Sequence, residues 1–205
     1  MSNERSVFLK ILHDIVSHPL VYDSVQILAG VRFVHNRLYK QIEHLNLKNK
    51  SIVFDIGGGT GISKDLWPDS SQYICLDNDI VKLKGYLNKY PSGVVLLGDA
   101  TQIPARTNSA DVVLCTLMSH HIPIDLLLKL FQESVRILKP EGRIFFIDAV
   151  WNPKRLAGRL LWSLDRGSYP HSAETLYKFI SNHCQVIHWE RFAIYHEYVL
   201  GIATK

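Results

Sequence analysis

The chain has 205 residues, 47% of them hydrophobic and 20% charged, with 12 glycines and 8 prolines. That balance excludes a disordered or collagenous chain and fits one large domain with a substantial core. The formal charge of +4 is mild, and nothing in it alone calls for a nucleic-acid partner.

The basic residues thicken in two places, at Arg32, Arg37, Lys40, Lys48 and Lys50 and at Lys154, Arg155, Arg159 and Arg166. Both groups read as solvated helix faces, or as attractors of an anionic acceptor. Cys75, Cys115 and Cys184 are odd in number and far apart, without a CxxC pair, so neither a disulfide framework nor a zinc site is expected, and the metal expectation is none. The start of the chain lacks the apolar core of a signal peptide. No apolar run approaches the roughly 18 residues of a membrane span. The expected setting is the cytoplasm, with no membrane insertion.

In chain order, the first fifty residues read as helical. Apolar positions recur at helical spacing over Ser6 to Ser17, Pro19 interrupts, Leu20 to Leu28 carries a second stripe, and Val31 to Leu45 a third. The period then changes. Ser51–Ile56, Gln72–Leu76, Val94–Leu97, Asp111–Thr116 and Arg143–Ile147 read as buried strands, with helices over Ile62–Trp67, Ile80–Tyr90 and Ile124–Leu138 between them. Alternating strands and helices predict an α/β, doubly wound parallel sheet whose strand C-termini share one ligand-binding edge. Helices over Pro153–Leu164 and Ala173–Asn182 follow. Two runs, Cys184–Phe192 and Tyr195–Thr204, lie close enough to form an antiparallel hairpin. The chain thus reads as one domain over 1–205: helical cover 1–50, core 51–150, second helical cover 151–182, and hairpin 183–205.

The segment Asp55-Ile56-Gly57-Gly58-Gly59-Thr60-Gly61 runs from a strand into a glycine-rich turn. Glycine suits a tight turn that a ligand must approach closely. The order Gly-x-Gly-x-Gly departs from the dinucleotide fingerprint Gly-x-Gly-x-x-Gly. An acidic residue two places before the first glycine would favour a cationic ligand rather than a pyrophosphate. Asp77 ends the second strand, where a carboxylate can accept from both hydroxyls of a ribose. Asp99 ends the third, within reach of an adenine amino group. His120 and His121 follow the fourth strand, on the same edge, and Asp148 ends the fifth, where it can orient an acceptor hydroxyl. His171 falls in a loop that can descend over the site. Tyr22 and Arg37 are further candidates for the acceptor pocket.

The order D-x-G-x-G-x-G, then Asp77, then Gly98-Asp99-Ala100, then Leu-Lys-Pro-x-Gly-Arg over 138–143, resembles the class I S-adenosylmethionine-dependent methyltransferases. Within them it is most similar to the small-molecule, quinone-biosynthesis-like type 11 group, over roughly residues 50–150. The resemblance implies a Rossmann-like three-layer sandwich, with a seven-stranded sheet whose last strand is antiparallel. S-Adenosyl-L-methionine would be the cofactor and S-adenosyl-L-homocysteine the product. It implies that Asp55 and Gly57 lie near the methionyl amino group, Gly59 near the ribose within the turn that Gly61 closes, and Asp77 on the ribose hydroxyls. Asn78 would border the adenine, Asp99 and Ala100 its edge, and Thr116 the methionine portion. His120, His121 and His171 are the candidate catalytic residues, acting on an unidentified small-molecule acceptor. No nucleic-acid partner is expected, since an Asn-Pro-Pro-Tyr motif is absent. Two other readings stay open: an NAD(P)-dependent Rossmann oxidoreductase, and a non-catalytic cofactor-binding subunit.

Overall fold

The computed structural model describes residues 31–43, 45, 47–165 and 169–205. The stretches at 6–17 and 20–28, with Tyr22, lie outside the described residues, as does Arg166. Helix α1 spans Val31–Ile42. Then follow β1 (Ile52–Ile56), a 3-10 turn (Lys64–Leu66), β2 (Gln72–Asp77), α2 (Ile80–Lys89), β3 (Val94–Leu97) and β4 (Ala110–Thr116). A 3-10 turn (Ser119–His121), α3 (Ile124–Ile137), β5 (Leu138–Val150), α4 (Leu156–Leu164), α5 (Ala173–Ser181), β6 (Gln185–Ala193) and β7 (Glu197–Thr204) complete the order.

The strands form one seven-stranded sheet in the order β3-β2-β1-β4-β5-β7-β6. β1 to β5 pair in parallel, whereas β7 runs antiparallel to both β5 and β6. Alternate residues of each strand feed two cores, as the two-residue period of a strand requires. Phe54, Ile56, Val113, Cys115, Ile144 and Phe146 pack on one face with Leu127, Leu130 and Phe131 of α3 and Leu176 and Ile180 of α5. Val53, Tyr73, Cys75, Val112, Leu114, Phe145 and Ile147 pack on the other with Val34 and Leu38 of α1 and Leu83 and Tyr86 of α2. Among the described residues, two helices carry side-chain N-caps. Asp79 accepts from the N–H groups of Val81 and Lys82 at α2, and Ser172 from Thr175 N–H at α5.

Three expectations change. The helix foreseen over Ile62–Trp67 shrinks to a single 3-10 turn, because the chain is still leaving a left-handed turn at Gly61 and meets Pro68 soon after. β5 begins at Leu138, five residues early, with its register shifting between the pairs Ala110–Leu138 and Val112–Arg143, so that Lys139 to Gly142 is an excursion within a strand. The expected cover 151–182 divides: α5 is a core helix against the sheet, whereas α4 keeps Leu156 and Leu160 on the surface and buries Trp162.

Candidate active site

β1 turns outward to β2 and β3, and β4 to β5, so the order reverses between β1 and β4. Ligands of open α/β sheets bind in the crevice at such a switch point, beyond the strand C-termini. The glycine turn leaves β1 here. Gly57 and Gly58 both donate their N–H to Leu76 O, at 2.8 and 3.0 Å, which ties the turn to β2. Gly57, Gly59 and Gly61 all have positive φ, at 71, 55 and 75°. They differ in what surrounds them. A Cβ on Gly61 would lie 2.3 Å from the Tyr86 ring, whereas one on Gly59 would meet nothing nearer than Lys82 Cδ at 3.7 Å. Gly61 is therefore required by packing against α2, and Gly59 by backbone conformation and an open approach.

Asp55 sits beneath this turn, buried on the α1/α2 face. Tyr73 donates its hydroxyl to Asp55 Oδ2, and Oδ1 has no partner among the described residues. Burial pushes its pKa up to about 7, against the opposing Tyr73 hydrogen bond and helped by the charge of Asp77. Asp77 accepts from Gly59 N–H through Oδ2 and from Asp79 N–H through Oδ1, both at 2.9 Å. Its carboxylate is thus oriented by the turn that it faces. Asp99 binds the N–H and hydroxyl of Thr101 through Oδ1.

A cavity of about 390 Å³ collects Gly57, Asp77, Asn78, Asp99, Ala100 and His121, together with Leu76, Lys82, Met118, Ile122 and Leu126. A smaller recess of about 30 Å³ joins Gly59 and Thr116 to His35, Gly57, Thr60 and Leu117. Asp55, Gly61, His120 and His171 line neither. Leu117, common to both spaces, is a non-glycine residue at φ 51°. Such strain persists only where the surroundings hold it, and it clusters at functional sites. Here Leu117 N–H is pinned to Ile147 O at 2.8 Å.

At the far end stand the histidines. His120 Nδ1 is 2.5 Å from Asp148 Oδ1, and its Nε2 is 3.7 Å from Asp165 Oδ2. Burial pushes the His120 pKa down, but Asp148, with Asp165, outweighs it and holds the group above the usual range. For Asp148, burial acts upward and is outweighed by His120 and by the Ser119 and Ala149 hydrogen bonds, so its pKa falls. Its oxygens are thus engaged within the protein, rather than directed at an acceptor as its strand-end position suggested. His121, 4.2 Å ring to ring from His120, is pushed down by burial and by that neighbour's charge.

His171 is buried, with Nε2 2.9 Å from Ile122 O, so its ring braces the loop after β4 instead of reaching the cavity. Arg37 leaves the acceptor pocket altogether: it pairs with Glu190 at 3.0 Å and stacks over Phe192. Sequence reasoning missed His35, which lines the smaller recess and lies 3.4 Å from Ser63 Oγ, itself 3.3 Å from Thr116 Oγ1. Burial lowers its pKa to about 4, so the ring is neutral. It sits on an ordinary amphipathic helix, and only tertiary packing carries it to the turn. Lys82, on α2, was missed for the same reason, and Met118 because an apolar residue just past a strand reads as core.

The family profile described as Methyltransferase domain matches residues 54–146. Thiol S-methyltransferase TMT1B of Rattus norvegicus is 30% identical over 135 residues, covering 61% of this chain and 53% of that protein. The chain thus spans about half the length of this curated relative. Among solved structures, geranyl diphosphate C-methyltransferase of Streptomyces coelicolor A3(2), held there with Mg2+, geranyl diphosphate and S-adenosyl-L-homocysteine, matches at TM-score 0.71. Its identity is 14%, over 87% of this chain and 83% of that one. A SAM-dependent methyltransferase of Methanosarcina mazei matches at TM-score 0.68 and 14% identity, over 80% of this chain and 96% of that one. At such identities these structures establish the shared fold.

Proposed function

We propose that this chain, whose residues 54–146 match a methyltransferase-domain profile, is a class I S-adenosylmethionine-dependent methyltransferase that transfers a methyl group to a small-molecule acceptor. One observation carries the reading. The turn Asp55-x-Gly57-x-Gly59-x-Gly61 lies at the switch point of the sheet, and carboxylates at the ends of β2 and β3 converge on the cavity beside it.

The residues present fit such a cofactor. The orphaned Oδ1 of Asp55 beneath the turn favours a cationic group above it. Asp77, already oriented by Gly59 N–H, retains acceptor capacity for the two ribose hydroxyls. Asp99 Oδ2, which makes no hydrogen bond among the described residues, suits an adenine amino group, with Asn78 and Ala100 along the ring. Thr116 and Gly59 border the smaller recess, suited to the methionine portion.

The bound cofactor supplies a methyl already activated on a sulfonium, so the chain's task is to hold both reactants in line and keep water away. The acceptor's lone pair attacks the methyl carbon, and the carbon–sulfur bond breaks toward S-adenosylhomocysteine. His121 lines the acceptor end of the cavity, and His120 is braced behind it by Asp148. A neutral imidazole there takes the proton of an acceptor that still holds one. His171 acts as a positioning residue through the Ile122 carbonyl. Thiols are the first acceptors to try, because the rat relative is a thiol S-methyltransferase.

The test is an assay for S-adenosylhomocysteine and methylated product by mass spectrometry, with S-adenosylmethionine and a panel of small thiols, phenols and amines. Wild-type protein should form both products in equal amounts. Asp77→Ala should weaken cofactor binding by about 1–3 kcal/mol, roughly five- to a hundredfold, through lost hydrogen bonds. Tight cofactor binding with no methylated product from any acceptor would point instead to a non-catalytic subunit.

A further inference from the structure

We propose that His120, His121 and Asp165 form a zinc site at the acceptor end of the cavity, where the ion holds a sulfur acceptor as its thiolate. The thiolate half of the proposal rests on the methyl-transfer reading above; the metal half rests on geometry alone.

Each of the three residues offers one ligand atom, and these atoms all lie within 4.8 Å of one another. His120 Nε2 and Asp165 Oδ2 are 3.7 Å apart, beyond hydrogen-bond reach. Two donors sharing a tetrahedral zinc ion at about 2.0–2.2 Å stand roughly 3.3–3.6 Å from each other. This pair needs only a small contraction to share an ion, whereas a separation as wide as 4.8 Å within the set would close by about 1.2 Å or more as the third ligand comes in.

The imidazole is also prepared from behind. His120 Nδ1 faces Asp148 Oδ1 at 2.5 Å. Asp148 is wholly buried, and it is held by the Ser119 hydroxyl and the N–H groups of His120 and Ala149. A carboxylate fixed in this way accepts a hydrogen bond from Nδ1–H, which sets the tautomer and leaves the Nε2 lone pair for a ligand. The same carboxylate–histidine arrangement supports most metal-ligating imidazoles. Trp162 closes one side with its ring 5.5 Å from that of His120, which lowers the local dielectric. The second imidazole, His121, lines the cavity itself.

Two imidazoles and one carboxylate are a donor set for zinc, and three protein ligands leave a fourth position for substrate. Zinc deprotonates a coordinating thiol outright. The S–H proton leaves to water as the sulfur–zinc bond forms. A sulfur lone pair then attacks the sulfonium methyl, the old carbon–sulfur bond breaks, and its electron pair goes to S-adenosylhomocysteine. The methylated product is a neutral thioether and a weaker zinc ligand, which favours its release. The ion thereby replaces an imidazole as the means of generating the nucleophile.

The experiment uses the full chain without a histidine tag, stripped with chelator and titrated with zinc alone against a chromophoric competitor. Wild-type protein should take up one zinc per chain. Asp165→Asn and His121→Gln should each weaken uptake at least tenfold, and Asp148→Asn by about ten- to a hundredfold. His188→Gln, in β6, should keep it. S-Adenosylhomocysteine binding by Asp165→Asn within twofold of wild type would show that its fold is intact. Zinc uptake retained in full by Asp165→Asn and His121→Gln overturns the site. Thiol methylation at full rate in stripped protein overturns the role of the ion while leaving methyl transfer standing. Stoichiometric zinc with no thiol methylated supports the site and overturns the thiolate acceptor.

Discussion

Asp55 is 1% exposed, with one oxygen bonded to Tyr73 and the other without a partner among the described residues. A buried carboxylate in that state favours its protonated form, and the fold holds its pKa at about 7, above the ordinary value of 3.8. The sign follows by linkage. Between those two values the folded chain binds more protons than the unfolded chain, so the contribution of Asp55 to stability is full at low pH. It is lost as pH rises through about 7. A cationic ligand favours the ionised form, so cofactor affinity should run the opposite way and increase through the same range. Asp55→Asn should flatten both trends. Urea unfolding and calorimetric titration of S-adenosylhomocysteine at pH 5.5 and 8.5 would check it. Equal pH slopes in wild type and variant would remove Asp55 from the account. The positions of Asp55, Asp77 and Asp99 at the C-terminal edge of the sheet were legible in the sequence, because each falls at or just past the end of a short apolar run. The burial of Asp55 and its orphaned oxygen were not, since these depend on Tyr73 of a neighbouring strand.

Among elements, the glycine turn divides packing from binding. Gly61→Ala must fit a Cβ 2.3 Å from the Tyr86 ring at φ 75°. It should cost roughly 2–5 kcal/mol of stability, the sum of overpacking and a left-handed backbone. Gly59→Ala has room, with its nearest neighbour at 3.7 Å, and should cost only the backbone part, about 1–2 kcal/mol. Its larger effect should fall on cofactor affinity, because the new methyl would border the recess beside Thr116. Equal losses of stability in the two variants, measured by chemical denaturation, would contradict this division. Strand positions read within one or two residues for β1 to β4, since apolar runs bounded by glycine and aspartate leave little choice. The early start of β5 was hidden by Pro140 and Gly142, which read as a loop and form an excursion instead. The role of α5 was hidden as well: an amphipathic helix after the fifth strand serves equally as cover or as core, and only Leu176 and Ile180 against the sheet decide it.

At the scale of the whole molecule, the reversal of strand order between β1 and β4 brings residues 55, 77, 99 and 116 to one edge. That convergence was legible, because alternating strands and helices with right-handed crossovers allow few arrangements. The grouping around the histidine pair was not. His120 and His121 meet Asp165 across 44 positions of chain, and no spacing rule joins an adjacent histidine pair to a carboxylate at the end of a later helix. The basic groups foreseen as attractors also spread out, with Arg37 spent on Glu190 and Arg155 on the Ile194 carbonyl.

The central claim is that this edge holds S-adenosylmethionine rather than a dinucleotide, and both cofactors fit a Rossmann-like sheet. Calorimetric titration of the full chain with S-adenosylhomocysteine and, separately, with NADH tests it most directly. The account predicts one S-adenosylhomocysteine per chain, with affinity weakened in Asp77→Ala, and no heat from NADH. Saturable NADH binding in the absence of S-adenosylhomocysteine binding would contradict it.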